Sequence, residues 1–263
     1  MDLGLKNKTA LVTGASAGLG FAAAMALAQE GARVAINSRS LDNLEKAAEK
    51  IKAATGYNPP TIEGDISLKG MAEEIAQKAI AALGKVDILI SNAGGPPAGK
   101  FLEVNKEAWM KAADLTLHSS INLTRAVVPG MMDRKWGRII YITSLAVKQP
   151  IDNLLISNTL RAGLTGFAKS ISNDLAKHGL TVNTVAPGYT ETERLVHLAE
   201  IESKASGKTI KEIYAGWAAN VPAGRLGRPE ELAALIAFLS SERAAYINGT
   251  TIQVDGGYIK GLL

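Results

Sequence analysis

Three closely spaced glycines, Gly14, Gly18 and Gly20, are the first residues of the chain whose type and spacing suggest chemistry. They follow a run of apolar and β-branched residues at 9–13, which is typical of a buried parallel strand. An alanine-rich stretch at 21–28 then favours a helix. Strand, glycine turn and helix together present backbone N–H groups and the positive end of a helix dipole to a phosphate group. The same spacing also fits a tight turn that binds no ligand.

The turn matches a second pattern as well. Gly14, Ser16 and Gly18 form G-x-S-x-G, the nucleophile elbow of α/β-hydrolases, in which Ser16 would be the nucleophile. This alternative is the weaker one, because the turn comes early and no preceding strand and loop supply a second oxyanion donor.

Composition narrows the classes of function. The 263 residues fit one α/β domain, and 47% hydrophobic residues suffice for a large core. Cysteine is absent, no apolar run reaches the ~18 residues of a membrane helix, and the N-terminus lacks a signal-peptide pattern, so we expect a cytoplasmic protein with no membrane contact. The three histidines show no metal-ligand spacing, so no metal site is predicted. The net charge of +4 is spread over the chain, which suits a small anionic ligand at least as well as nucleic acid, and we expect no nucleic-acid partner.

Predicted strands and helices alternate along the chain. The strands are predicted at 9–13, 33–38, 61–65, 86–91, 138–143, 181–186 and 251–254, and the longer helices at 69–83, 106–132, 154–177 and 229–239. Ser40 is expected to cap a further helix that ends at Gly56. Connections of this length between like strands predict a parallel sheet with right-handed crossovers, and thus an α/β fold.

This organisation predicts the position of a ligand. In an open parallel sheet a ligand binds at the carboxyl ends of the strands, near the point where the strand order reverses. Small or polar residues follow six of the predicted strands, which is more specific than any single motif: 14–20, Arg39, Asp65, Asn92, Ser144 and 190–192.

With these residues in view, the sequence resembles the short-chain dehydrogenase/reductase family over essentially its whole length, most closely its 3-oxoacyl-acyl-carrier-protein reductase branch. The matching motifs are T-G-x-x-x-G-x-G at 13–20, S-N-A-G at 91–94, P-G at 187–188, R-L-G-R-P-E-E at 225–231 and D-G-G at 255–257. The resemblance implies a Rossmann-type, doubly wound parallel sheet of about seven strands with helices on both faces, in a single NAD(P)-binding domain at 1–263. It also implies a substrate lid at 189–224 and a homotetramer, or a dimer.

The resemblance further implies where a dinucleotide binds. Asp65 fits the adenine contact, and the segment that begins at Pro187 fits the nicotinamide end. The predicted cofactor-binding residues are Gly14, Ser16, Gly18, Leu19, Gly20, Ser38, Arg39, Asp65, Ile66, Asn92, Ala93, Gly94, Pro187, Gly188, Thr190 and Thr192.

The end of the second strand predicts the choice of cofactor. An acidic residue there would accept the ribose hydroxyls of NAD, but the chain has Asn37, Ser38 and Arg39 instead. An arginine can pair with a 2′-phosphate, so we expect NADP(H) in preference to NAD(H). The alternative is that Arg39 is an ordinary solvated residue before the Ser40 cap.

The catalytic positions depart from the family pattern of Asn, Ser, Tyr and Lys, in which the last two are spaced Y-x-x-x-K. Ser144 matches the family serine, and the usual spacing leads from it to Ser157 (157 − 144 = 13) in place of the tyrosine. Arg161 stands in place of the lysine, and Thr116, counted from Trp109, in place of the asparagine. The predicted catalytic residues are therefore Thr116, Ser144, Ser157 and Arg161.

This exchange alters the proton chemistry. A tyrosine phenol, with a pKa of about 10, can be tuned by a nearby ammonium group, whereas a serine hydroxyl is a far weaker acid and a guanidinium pKa lies above about 12. Ser157 and Arg161 are four residues apart on a predicted helix face, which suits binding of the cofactor ribose and an oxyanion more than donation of a proton. Losing a positioned acid typically lowers a rate by ~10²–10⁴.

Two functions therefore remain open beside the hydrolase. One is an NADP(H)-dependent oxidoreductase for a small-molecule carbonyl, alcohol or acyl-thioester substrate, in which Ser144 holds the carbonyl oxygen and Arg161 stabilises it, with Tyr189 or water replacing the phenol. The other is a dinucleotide-binding protein with a regulatory or assembly role and little turnover.

Overall fold

The computed structural model describes residues 2–262, and a seven-stranded parallel sheet forms their centre. The strands are β1 Thr9–Val12, β2 Arg33–Ser38, β3 Thr61–Glu63, β4 Ile88–Ser91, β5 Gly137–Ile142, β6 Leu180–Pro187 and β7 Thr251–Val254. Their order across the sheet is β3-β2-β1-β4-β5-β6-β7. Chain order reverses between β1 and β4, so a ligand crevice is expected at their carboxyl ends. The predicted Rossmann-type sheet is confirmed; Met1 and Leu263, the ends of the predicted domain, lie outside the described residues.

Helices cover both faces of the sheet. They are α1 Gly18–Gln29, α2 Leu41–Thr55, α3 Met71–Leu83, α4 Lys106–Ala113, α5 Ser119–Asp133, α6 Leu155–Ala176, α7 Glu193–Ser206, α8 Ile210–Ala219 and α9 Pro229–Leu239. One core cluster packs α1, α2 and α9 against the sheet, and a second packs α3, α5 and α6 against the opposite face. Of the helices that the structure describes, none combines the length and the hydropathy needed to span a bilayer.

The predicted helical region at 106–132 is interrupted. A π-helical segment, Asp114–His118, lies between α4 and α5. The widened turn leaves the apolar periodicity of the stretch largely intact, so the sequence pattern alone does not reveal it. The helix boundaries that rest on caps are clearer, since Ser40 accepts a hydrogen bond from the Asn43 N–H at 3.4 Å and Gly56 ends α2 at a φ of 75°.

Candidate functional site

The turn after β1 has the geometry of a phosphate-binding loop. Gly14 has a φ of 56°, in the left-handed region, and a Cβ added to Gly20 would lie 2.2 Å from the Gly14 carbonyl oxygen. The residue before α1, Ala17, offers no side chain to cap the helix, and no acidic residue lies in its first turn. The first N–H groups of α1 and the positive end of its dipole are therefore open to an anion.

Side-chain hydrogen bonds fix this turn to the end of β4. The Thr13 hydroxyl donates to the Asn92 carbonyl at 2.8 Å and accepts from the Asn92 N–H at 3.0 Å. The Asn92 side-chain amide in turn donates to the Gly14 carbonyl at 3.1 Å. Hydrogen bonds within the protein thus hold together the two loops at the point where strand order reverses.

The end of β2 presents a cation. Asn37 fixes this edge by donating from Nδ2 to the Ile62 carbonyl at 2.9 Å and the Gly64 carbonyl at 3.1 Å. The Arg39 side chain is 76% exposed, and its Nη1 lies 4.0 Å from Oδ2 of Asp65. Burial alone would raise the pKa of Asp65, but hydrogen bonds from the Ser67 hydroxyl and N–H outweigh it and lower that pKa.

These strand ends border one continuous cleft of about 780 Å³, which extends from Arg39 to Arg161. It is lined by fifteen of the predicted cofactor-binding residues: Gly14, Ser16, Gly18, Leu19, Ser38, Arg39, Asp65, Ile66, Asn92, Ala93, Gly94, Pro187, Gly188, Thr190 and Thr192. Gly20 lies beneath the turn instead, where its missing side chain permits the close approach to Gly14. A dinucleotide fits this arrangement, because one long cleft contains both an uncapped helix N-terminus, which suits the diphosphate, and the cation Arg39.

Three of the four predicted catalytic residues line the opposite end of the cleft. Ser144 follows β5 and accepts a hydrogen bond from the Ala146 N–H at 3.1 Å, while Ser157 and Arg161 project from α6. Arg161 is only 7% exposed, and its Nη1 donates to the carbonyls of Ile142 at 2.9 Å and Thr143 at 2.8 Å. Burial, and then the positive charge of Arg194, lowers the pKa of Arg161 to about 10, so the guanidinium remains charged at neutral pH.

The fourth residue, Thr116, lies elsewhere. It is buried in the π-helical segment and does not line the cleft. Among the described residues, its hydroxyl is one of two buried side-chain polar atoms without a hydrogen-bond partner, the other being Oε2 of Glu73. π-Helical turns are frequent near functional sites, but here the segment leaves its central hydroxyl unsatisfied within the protein.

Tyr189 brings a phenol to the cleft. Its ring stacks on Trp217 with centroids 5.2 Å apart and meets the Tyr258 ring edge-on at 5.4 Å. Burial, and then the charge and hydrogen bond of Tyr258, raises the pKa of Tyr189. The cleft-lining residues include no lysine that would lower it, so this phenol is a weaker acid than free tyrosine.

Sequence reasoning missed Arg194, which also lines the cleft. It lies in the first turn of α7, is half-buried, and donates from Nη2 to the Pro96 carbonyl at 2.8 Å. Its position two residues after the predicted ligand contact Thr192 was the one sequence feature that could have indicated Arg194 as a site residue. Within residues 2–262 no group of His, Asp and Glu side chains is arranged to hold a metal ion, and no histidine there hydrogen bonds to Ser16 as a hydrolase would require.

Comparisons with known proteins agree with this geometry. The family model of enoyl-(acyl carrier protein) reductase matches residues 14–259. The chain is 36% identical to the 3-oxoacyl-[acyl-carrier-protein] reductase FabG of Escherichia coli K12 over 255 residues, 97% of this chain and 98% of that protein. It is 36% identical to dehydrogenase/reductase SDR family member 4 of Bos taurus, covering 98% of this chain and 89% of the other. The crystal structure of L-sorbose reductase from Gluconobacter frateurii, complexed with NADPH and L-sorbose, superposes with a TM-score of 0.95 at 33% identity over the full length of both chains.

Proposed function

The chain belongs to the short-chain dehydrogenase/reductase family of NAD(P)-dependent oxidoreductases, and from this membership we propose that it interconverts a carbonyl and an alcohol with NADP(H) through an atypical active site. The observation that carries the proposal is the single cleft that joins the phosphate-binding turn at Gly14 to Ser144, Ser157 and Arg161. A 3-oxoacyl compound is one substrate that the relatives suggest, since one of them is named for it.

A nicotinamide held in this cleft would supply the hydride, and the residues of the chain bind and polarise the carbonyl group. The Ser144 hydroxyl donates to the carbonyl oxygen, and the Arg161 guanidinium stabilises the negative charge that develops there. Arg161 is pre-organised for this role, because Nη1 is fixed by the two carbonyls at the end of β5. In this proposal the proton comes from solvent, because burial and the neighbouring Tyr258 raise the pKa of Tyr189 and make its phenol a weak acid.

We propose NADP(H) over NAD(H) because the end of β2 offers a cation and no carboxylate at the position that would hold the adenosine ribose. Arg39 is exposed and loosely paired, so it is available to a 2′-phosphate. Asp42, the first acidic residue after β2, is exposed in the first turn of α2 and is absent from the cleft lining.

The proposal includes a substrate lid at 189–224 and an assembly of identical subunits. Helices α7 and α8 and the residues around them form the lid segment, and Tyr189, Arg194 and Leu198 from it line the cleft. A homotetramer, or a dimer, is supported by β7, whose four residues are all only partly buried at the edge of the sheet. We propose a cytoplasmic location, in keeping with the absence of cysteine.

The test combines binding with turnover. NADPH is titrated by its fluorescence, and its oxidation is then followed with ketones, oxo acids and 3-oxoacyl thioesters for the native protein and for a double variant, Ser157→Tyr with Arg161→Lys. We expect NADPH binding and slow turnover in the native protein, and a gain of about 10²–10⁴ where the phenol–ammonium pair is restored.

Two results would contradict the proposal. A native rate equal to that of the double variant would mean that no acid is missing. NADPH binding without oxidation by any carbonyl compound would favour the dinucleotide-binding protein with a regulatory or assembly role.

A further inference from the structure

Two arginines face the same end of the cleft, and neither is paired with a carboxylate of a described residue. Arg161 and Arg194 both line the cavity, and the charge of Arg194 lowers the pKa of Arg161, so the two guanidinium groups lie close enough to repel each other. Neither forms a salt bridge with any described residue; the two acidic residues of the cleft lining are Asp65, which pairs with Arg39, and the exposed Glu193. Excess positive charge in a half-enclosed site is unfavourable until an anion enters.

The other deeply buried arginine, Arg138, differs from Arg161 in having a carboxylate nearby. Arg138 is 2% exposed, and its guanidinium donates to the carbonyls of Gly137, Gly179 and Ser241 with the Glu242 carboxylate 3.7 Å away. That arginine is at the amino end of β5, remote from the cleft lining. The lack of a carboxylate beside Arg161 is therefore a local feature of the cleft.

Arg161 and Arg194 retain donors for a ligand. Arg161 uses Nη1 for the two backbone carbonyls, and among the described residues no acceptor is found for its Nε and Nη2. Arg194 uses Nη2 for the Pro96 carbonyl, which places its side chain across the loop after β4, where its Nε would lie 2.9 Å from a Cβ added to Gly95. A guanidinium has five N–H donors in a planar fork that matches a carboxylate.

We propose that Arg161 and Arg194 together bind the carboxylate of a 2-oxo acid, or of the matching 2-hydroxy acid, as the substrate of this site. This inference rests on the proposed function, in which Arg161 also stabilises the carbonyl oxygen. A carboxylate bonded directly to the carbonyl carbon places both groups within reach of one guanidinium. Leu145, Ile151, Leu154 and Leu198 line the same region and suit an apolar body on the far side of the carbonyl.

The reaction balances as a two-electron reduction. The 2-oxo acid takes a hydride, which is two electrons and one proton, at its carbonyl carbon from reduced nicotinamide, and a second proton from water at its oxygen. The product is the 2-hydroxy acid, whose carboxylate keeps its charge throughout. The two arginines therefore bind substrate and product through the same group.

The diphosphate of the dinucleotide is the competing occupant. The uncapped first turn of α1 already provides the anion site expected for it, on the other side of the point where strand order reverses. Arg161, in contrast, is fixed to the end of β5 beside Ser144 and Ser157. The position of Arg161 therefore favours binding of the substrate carboxylate, and not of the diphosphate, at this end of the cleft.

The test uses one carbon skeleton in charged and neutral form. Binding of 4-methyl-2-oxopentanoate and of its methyl ester is measured by calorimetry with and without saturating NADP⁺, for the native protein, Arg194→Gln, Arg194→Lys and the control Arg228→Gln. Arg228 is an exposed arginine that lies 3.9 Å from Glu231 and does not line the cleft, so it controls for the loss of one positive charge outside the site. Melting temperatures check that each variant is folded, and kcat/KM with NADPH is measured for both compounds.

We expect the acid to bind about 10–100-fold more tightly than the ester, the range for one charge-assisted hydrogen bond. Arg194→Gln abolishes this preference, Arg194→Lys retains part of it, and Arg228→Gln leaves it unchanged, all without loss of NADP⁺ affinity. Equal binding of acid and ester, or a loss of NADP⁺ affinity in Arg194→Gln with the acid preference kept, would overturn the inference.

The binding and rate measurements separate this inference from the proposed function. Acid-selective binding without oxidation of NADPH would retain the carboxylate site and reject the reductase. Reduction of the ester as fast as of the acid would retain the reductase and reject the carboxylate site.

Discussion

Replacing Arg39 by glutamine is expected to weaken the binding of NADPH and to leave the binding of NADH unchanged. The guanidinium is the cation at the end of β2, and its proposed partner is the 2′-phosphate, which NADH lacks. Its ion pair with Asp65 is long, at 4.0 Å, and the side chain is 76% exposed, so its removal changes folding stability by less than about 1 kcal/mol.

The size of the effect follows from the same exposure. A hydrogen bond to a charged group contributes about 1.5–3 kcal/mol, which corresponds to about 10–150-fold in affinity. Solvent and salt screen a side chain this exposed, so we expect the lower end, about 10-fold at an ionic strength of about 0.15 M. At low salt the loss should become larger.

The assay is a fluorescence titration of NADPH and NADH at two ionic strengths. The matched control is Arg228→Gln, whose side chain is 68% exposed and 3.9 Å from its carboxylate partner, outside the cleft. A loss of affinity that is equal for NADPH and NADH, or no loss for NADPH, would refute the assignment of Arg39 to the 2′-phosphate.

Two further substitutions test the packing of the site. In Gly20→Ala the added methyl group meets the Gly14 carbonyl oxygen at 2.2 Å, so we expect about 1–3 kcal/mol lower stability in urea unfolding and weaker dinucleotide binding. The control Gly163→Ala, on the exposed side of α6 with nothing within 4 Å, should gain up to about 1 kcal/mol, and equal losses in both variants would refute this reasoning. Thr116→Val removes a buried hydroxyl without a protein partner, so we expect about 1 kcal/mol higher stability and a Tm about 2–4 °C higher in calorimetry. A lower Tm would show that the hydroxyl bonds to a water molecule or a ligand.

Much of the fold could be predicted from the sequence, because most strands are short buried runs and six of the predicted strands end in small or polar residues that suit a ligand. The glycine turn after β1 is the clearest case, since the 2.2 Å approach at Gly20 excludes any side chain. The interruption of the helical region by Asp114–His118 was not predicted, because a single widened turn leaves little mark on the apolar pattern.

The catalytic end of the cleft was harder to predict. Sequence spacing brought Ser144, Ser157 and Arg161 together, and the structure places all three on the cleft lining. Spacing did not indicate that Nη1 of Arg161 is occupied by backbone carbonyls, or that Arg194 approaches from α7, because both depend on how distant segments fold over each other. The aromatic contacts of Tyr189 could not be predicted for the same reason, since Trp217 and Tyr258 lie far from it along the chain.

The stacking of Tyr189 on Trp217 makes the intrinsic tryptophan fluorescence of the protein a probe of its conformation. The phenol ring is part of the cleft lining and the indole belongs to α8, so any shift of α8 relative to the segment after β6 separates two rings now 5.2 Å apart. Indole emission responds to such a change in its surroundings, while Trp109 and Trp136 on other elements provide a steady background. A movement of α8 relative to Tyr189 can therefore be timed in the unlabelled protein, in a rapid-mixing instrument, without attaching a dye.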